Sequence, residues 1–205
     1  MCIRDRFLGV AIDVANPASV QSALRYASSV FWNASRVAVD AILYVSTERA
    51  VLAATPLTAP LSSVLGAATG WSTTELSIVA IYFMHLSFAA DVISRVATWL
   101  LSLGVTLTPI PALRKAGASL LAAYVSASLS LPYAAVITQE ALAKARVPSA
   151  LNPADWFQVA GIVGETAVAL GSAAAEASVA IALGAVAGIG LASIFGSMYL
   201  NLVHL

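Results

Sequence analysis

Ionisable side chains within or beside apolar stretches are the first candidates for chemistry in this chain. Its 205 residues include only 10 Lys+Arg and 10 Asp+Glu, whereas 60% are hydrophobic. A charge in lipid costs at least about 2.5 kcal/mol, so a charged residue inside a membrane helix usually has a partner or a function. The candidates of this kind are Arg36, Asp40, His85, Asp91, Arg95, Glu165 and Glu176.

Spacing suggests what some of these residues do. Asp91 and Arg95 are four residues apart with the acid first, the order that favours an ion pair on one helix face. Such a pair is structural, lies on a helix end that projects into water, or binds and relays protons. Glu165 and Glu176 are eleven residues apart and share a face if the helix between them is unbroken. If the helix breaks near residues 171–175, Glu176 moves to the membrane surface, and Glu165 packs as a neutral residue or lines a polar lumen.

Enzyme chemistry finds no support in the sequence. His85 and His204 are too far apart to form a metal or haem signature, and the single cysteine, Cys2, cannot form a zinc cluster. Phosphate-binding loops, nucleophile elbows and dinucleotide fingerprints are all missing from the sequence. We therefore expect no catalytic residue, no metal and no cofactor.

The elements that must position these charges are membrane helices. Charged residues make up 10% of the chain and the mean hydropathy is +0.90, whereas soluble domains carry about 25% charged residues. Each span takes about 20 residues. The sequence thus predicts an all-α, multi-pass bundle of about five to six helices in the cell membrane. Residues 7–205 form one transmembrane domain, and Met1–Arg6 resembles the translation of a sequencing adapter and is expected to be non-native.

The first third of the chain predicts helices separated by a loop. Residues 18–55 have an amphipathic pattern that predicts one long helix or two. Residues 55–70 lack charge and contain several helix breakers, which predicts a loop or a re-entrant hairpin. Ser72 and Glu75 then have the spacing of a capping box at the start of the next helix.

The middle of the chain predicts two apolar helices joined by a tight turn. The first covers residues 76–107 and is ended by Pro109 and Pro111, because proline disfavours helix at the residue before it. The second contains the clearest span, the 22 uncharged residues from Ala116 to Ile137.

The last third predicts a polar segment and then closely packed spans. Residues 139–155 suggest a short amphipathic helix and a turn, and residues 157–202 suggest two spans with a turn near 172–177. Pairs of small residues four apart allow helix backbones to approach closely. These pairs are Ala167/Gly171, Gly184/Gly188 and Ala192/Gly196.

One segment resembles a known family. The stretch Thr108–Tyr133, TPIPALRKAGASLLAAYVSASLSLPY, is similar to a recurring piece of the TrbL-type membrane channel proteins of conjugation and type IV secretion systems, including their archaeal CedA-like members. It covers about 26 of the 205 residues. The turn and anchor positions of this motif are Pro109, Pro111, Arg114, Lys115, Gly117 and Pro132.

This resemblance implies a membrane platform or channel that transfers DNA or assembles a pilus. It further implies a homo-oligomer in the lipid bilayer, with a small hydrophobic pilin and a cytoplasmic ATPase as partners and with DNA as a possible cargo. Arg25, Arg36, Asp40, Asp91 and Glu165 would then face a lumen or a neighbouring subunit. The alternatives are a small-solute or ion transporter, an accessory subunit of a respiratory complex, or a structural membrane subunit.

Overall fold

Four α-helices make up the part of the chain that the structure describes. The computed structural model describes the backbone of residues 13–54, 56–147 and 153–202, and the side chains of all of these except 153–157 and 196–202. The all-helical prediction is confirmed for this part, and the predicted count of five to six helices is wrong. The helices are α1 (Pro17–Ala54), α2 (Ala59–Leu107), α3 (Arg114–Lys144) and α4 (Pro153–Leu202).

Three of these helices, α2, α3 and α4, are long and apolar enough to cross a membrane, and α1 is not among them. The lengths and apolar composition of these three helices are those of a multi-pass membrane protein. At 1.5 Å per residue, the 49 residues of α2 and the 50 of α4 extend over about 73 and 75 Å. Both helices greatly exceed a hydrocarbon core of about 30 Å.

The helix count is lower than predicted because two expected breaks are absorbed into longer helices. Most of the predicted loop at 55–70 is helical in α2, where Pro60 lies in the first turn and has no intrahelical bond to lose. Glycine at position 66 leaves room for the Arg49 side chain, because a Cβ atom there would lie 2.8 Å from Cζ of Arg49. Ser72, expected to cap a helix, is instead buried within α2.

The second absorbed break is the turn expected at residues 172–177, which is continuous helix in α4. This segment is rich in alanine, the best helix former, and lacks proline. The polar segment after Ile137 is also different from the prediction, because Gln139–Lys144 extends α3 and Pro153 already begins α4.

Amphipathic α1 is a single helix that buries one stripe of mostly small side chains. The stripe recurs every three or four residues and comprises Val20, Leu24, Ala27, Phe31, Ala34, Ala38, Ala41 and Val45. Phe31 stacks on Phe83 of α2 with ring centroids 6.0 Å apart. The Ser35 hydroxyl donates to the Ala80 carbonyl over 3.0 Å. Because Ser35 follows Phe31 whereas Ala80 precedes Phe83, α1 and α2 run antiparallel here.

The helices contribute to two compact units. One takes in the chain up to Ser28, Phe88–Ala135 and the chain from Ser178, and the other takes in Ser29–Ser87 and Val136–Ala177. In the first unit, α3 and α4 approach closely at the predicted pair of small residues. A Cβ atom on Gly184 would lie 2.6 Å from Cβ of Ser130. The Ser126 hydroxyl donates to the Gly184 carbonyl over 2.6 Å.

Candidate functional site

Asp91 and Arg95 form the predicted ion pair on α2. The Arg95 Nε–H donates to Asp91 Oδ2 over 3.0 Å, within one helical turn. The pair is open to its surroundings, because the Arg95 side chain is 73% exposed and the Asp91 side chain 40%. The exposed residues on either side, Phe88 and Trp99, are large and apolar. The ion pair thus lies between large apolar side chains on the surface of α2.

The contact between α2 and α3 fixes the depth of this ion pair. Gly104 of α2 lies directly against the Leu121 side chain of α3. Arg95 is nine residues further from the connecting turn, about 14 Å along the helix. The same distance along α3 leads to Ser130, inside the uncharged stretch 116–137. The ion pair is therefore level with the interior of the clearest span.

The turn between α2 and α3 depends on Gly117. A Cβ atom at this position would lie 2.6 Å from the backbone nitrogen of Thr108 and 2.9 Å from the Gly104 carbonyl oxygen. These are backbone atoms, which cannot rotate away as a side chain can. The predicted role of Gly117, to let two helix backbones come together, is confirmed by these contacts.

The other motif positions surround this contact. The helix α2 ends at Leu107, as Pro109 and Pro111 predicted. Arg114 is half-buried and Lys115 exposed in the first turn of α3. Pro132 is buried inside α3, which continues to Lys144.

A second arrangement of opposite charges lies in the other unit, on the walls of an open groove. Lys144 from the end of α3, Glu165 from α4 and Trp71 from α2 line this groove, which has a volume of about 690 Å³. The remaining wall consists of small and apolar residues of α4: Ala160, Gly161, Gly164, Val168 and Ala169. Sequence reasoning singled out Glu165 but missed Lys144, because residues so far apart in the chain give no pairing signal.

The position of this groove along the helices follows from two hydrogen bonds between α4 and the residues that follow α3. The Thr166 hydroxyl donates to the Arg146 carbonyl over 2.6 Å and accepts from the Arg146 N–H over 3.1 Å. Glu165 is therefore level with the polar end of α3, near Lys144. It lies at the boundary of the apolar region, whereas the sequence had suggested a position well inside a span.

Glu75 is a half-buried carboxyl that sequence reasoning missed. Its Oε2 atom is buried and has no hydrogen-bond partner among the residues the structure describes. Its Oε1 atom occupies the space that a Cβ on Gly171 of α4 would fill. The spacing of Ser72 and Glu75 predicted a capping box. That prediction placed Glu75 at the start of a helix and gave no signal for its contact with α4. Glycine at position 171 allows the carboxyl to fit.

The remaining candidates lie on exposed helix faces. Arg36 and Asp40 are exposed on α1, and in the described part of the chain no ion pair joins them. The ring of His85 is exposed and its Nδ1 is 2.7 Å from the Ile81 carbonyl oxygen, one turn earlier. Glu176 is exposed on α4, eleven residues beyond Glu165 on an unbroken helix. Because α4 has no break between them, the two glutamates lie on nearly the same face, one of the two alternatives that the sequence left open.

Glu48, on α1 and outside the three apolar helices, has a shifted pKa. Burial raises the pKa of the Glu48 carboxyl on α1, and the Tyr44 hydroxyl one turn earlier offsets part of this shift. The carboxyl therefore retains a proton to a higher pH than an exposed glutamate does.

Among residues 13–54, 56–147 and 158–195, no group of three or more His, Cys, Asp or Glu side chains is arranged to hold a metal ion. Comparison with known proteins identifies no relative: no family model, curated protein or solved structure matches the chain.

Proposed function

We propose that this protein is a subunit of an oligomeric membrane assembly, the platform or channel of a conjugation-like type IV secretion machine that transfers DNA or assembles a pilus. The observation that carries the proposal is the Asp91–Arg95 ion pair, exposed on α2 at a level inside the span of α3. A subunit surrounded only by lipid would place this pair in hydrocarbon.

Oligomer formation removes that cost. Pairing within the helix neutralises the two charges but leaves their remaining hydrogen-bonding capacity unsatisfied. A neighbouring subunit or a water-filled lumen supplies the missing partners. The surface of α4 supports the same conclusion, because only 6% of its most apolar stretch is buried. Glu176 is exposed on the same helix.

The resemblance of the α2–α3 turn to TrbL-type proteins, CedA-like archaeal members included, supports the choice of machine. The backbone contact at Gly117 gives that motif a physical reason, because any larger residue would force the two helices apart. In this proposal the protein lies in the cell membrane, and a small hydrophobic pilin and a cytoplasmic ATPase complete the machine.

The decisive experiment is purification in mild detergent, followed by mass photometry and imaging of the particles. We expect a closed ring with a central lumen. The double variant Asp91→Asn/Arg95→Gln should shift the particles towards smaller species, whereas Lys115→Gln, a charge change in the first turn of α3, should leave the ring intact.

A monomer or simple dimer would contradict the proposal and favour the rival function, a small-solute or ion transporter. Glu165→Gln would then be tested in an uptake assay driven by a proton or ion gradient. Abolished uptake in a monomeric protein would establish the transporter.

A further inference from the structure

The groove of Trp71, Lys144 and Glu165 has the charges, apolar lining and depth of a lipid site. We propose that it binds the headgroup of a phospholipid that carries both a phosphate and a primary ammonium, a phosphoethanolamine lipid. The Lys144 ammonium binds the phosphate, and the Glu165 carboxylate accepts hydrogen bonds from the lipid ammonium.

Both charges of the groove are available to a ligand. Within the described part of the chain, neither the Lys144 nor the Glu165 side chain forms a hydrogen bond or ion pair. Both side chains are exposed and line the same groove of about 690 Å³. Two opposite charges that do not pair with each other complement a ligand whose own charges are separated.

The depth of the groove also fits a lipid headgroup. The hydrogen bonds between Arg146 and Thr166 place Glu165 level with the end of α3, where polar residues follow the uncharged stretch. Trp71 is 63% exposed beside the groove, and tryptophan is enriched at the headgroup level of membranes. A ligand in this groove therefore meets the protein where phospholipid headgroups lie.

The apolar wall of the groove has a shape that suits an acyl chain. Gly161 and Gly164 leave the surface of α4 free of side chains at two positions, and a Cβ atom on Gly161 would meet nothing within 4 Å. Val168, one turn further along α4, is 56% exposed. An acyl chain can lie along this surface while its headgroup stays between the two charges.

The carboxylate sets the choice of headgroup. A primary ammonium donates hydrogen bonds to Glu165, whereas a trimethylammonium cannot donate any and a glycerol headgroup has no positive charge. An anionic lipid would satisfy Lys144 and leave Glu165 facing a negative ligand. The phosphoethanolamine headgroup alone satisfies both residues among these three common classes.

The test is native mass spectrometry of the full chain in detergent, titrated with short-chain phosphatidylethanolamine, phosphatidylcholine and phosphatidylglycerol. We expect the ethanolamine lipid to bind most tightly. Lys144→Gln and Glu165→Gln should each weaken its binding about tenfold, the loss typical of one charge-assisted hydrogen bond. Lys115→Gln and Glu176→Gln, which change like charges outside the groove, should leave binding unchanged.

A charge exchange strengthens the test. Glu165→Lys alone should abolish selectivity for the ethanolamine lipid, and adding Lys144→Glu should restore it, because the headgroup can then bind in the reverse direction. Equal binding of all three lipids, or ethanolamine-lipid binding unchanged by Lys144→Gln and Glu165→Gln, would overturn the proposal. Preference for phosphatidylglycerol with dependence on Lys144 alone would also overturn it, by showing a simple anion site.

Discussion

Asp91 and Arg95 contact each other within one turn of α2, whereas Lys144 and Glu165 belong to different helices and remain apart on the walls of a groove. The first pair is level with the uncharged stretch of α3, and the second lies beside the polar residues at the end of that helix. This contrast fits the cost of an unpaired charge in lipid, because the opposite charges are joined beside the uncharged stretch and left apart beside the polar one.

The largest expected effect comes from breaking the deep pair. Arg95→Ala leaves Asp91 unpaired at mid-span, where a lone charge costs about 2.5–3.5 kcal/mol on the insertion scale. We expect a strong loss of membrane-inserted protein and a lower midpoint of thermal unfolding in detergent. Asp91→Asn/Arg95→Gln removes both charges and should be much milder. A double variant as unstable as the single one would show that the pair does not act as a neutralising unit.

The next effect tests the turn that fixes the depth of this pair. Gly117→Ala places a Cβ atom against backbone atoms of Thr108 and Gly104 and should cost about 1–3 kcal/mol, as overpacking typically does. Gly190→Ala is the matched control, because nothing lies within 4 Å of the added Cβ. The control should be neutral or slightly stabilising. Thermal unfolding of both variants checks the prediction, and equal stability of the two would contradict it.

A smaller effect extends the comparison to a carboxyl outside the three apolar helices. Burial raises the folded-state pKa of Glu48 above its ordinary value of 4.5. Its contribution to stability is therefore fully present below the unfolded pKa and is lost as the pH rises through the folded pKa. Glu48→Gln removes this loss. We expect the variant to unfold at a higher temperature than the wild type at pH 7, with the difference shrinking towards pH 4.

The smallest effect on folding is expected at the groove. Lys144→Gln and Glu165→Gln remove exposed charges that have no partner among the described residues, so each should change the free energy of unfolding by less than about 0.5 kcal/mol. Thermal unfolding in detergent without added lipid measures this. A large destabilisation by either variant would show that the two charges serve the fold, and the contrast with Asp91 and Arg95 would then fail.

Some of this architecture could be predicted from local sequence. The prolines at 109 and 111 marked the end of α2, and the i, i+4 spacing of Asp91 and Arg95 predicted their ion pair. These signals are local, because each depends on residues within one or two helical turns. The close approach at Gly184 and Gly188 was also predicted, from the small size of the residues alone.

Other features depend on contacts between distant residues and could not be predicted in this way. By sequence alone, Gly66 predicts a helix break and Glu75 a helix cap. The structure shows instead that Gly66 packs against the Arg49 side chain and that Gly171 packs against the Glu75 carboxyl. The groove required the end of α3 to be tied to α4 through Thr166. Helix breaks were overpredicted because glycine and serine in apolar segments are as compatible with close packing as with turns.

The ion pair of α2 also bears on how the protein enters the membrane. Because Asp91 and Arg95 lie four residues apart on one helix, they can neutralise each other as soon as that helix forms, before any other helix has packed against it. The short connection between α2 and α3 allows both helices to enter the bilayer together as a hairpin. Pairing within one helix therefore lowers the cost of bringing these charges into lipid during synthesis, and a neighbouring subunit can supply the remaining hydrogen bonds after insertion.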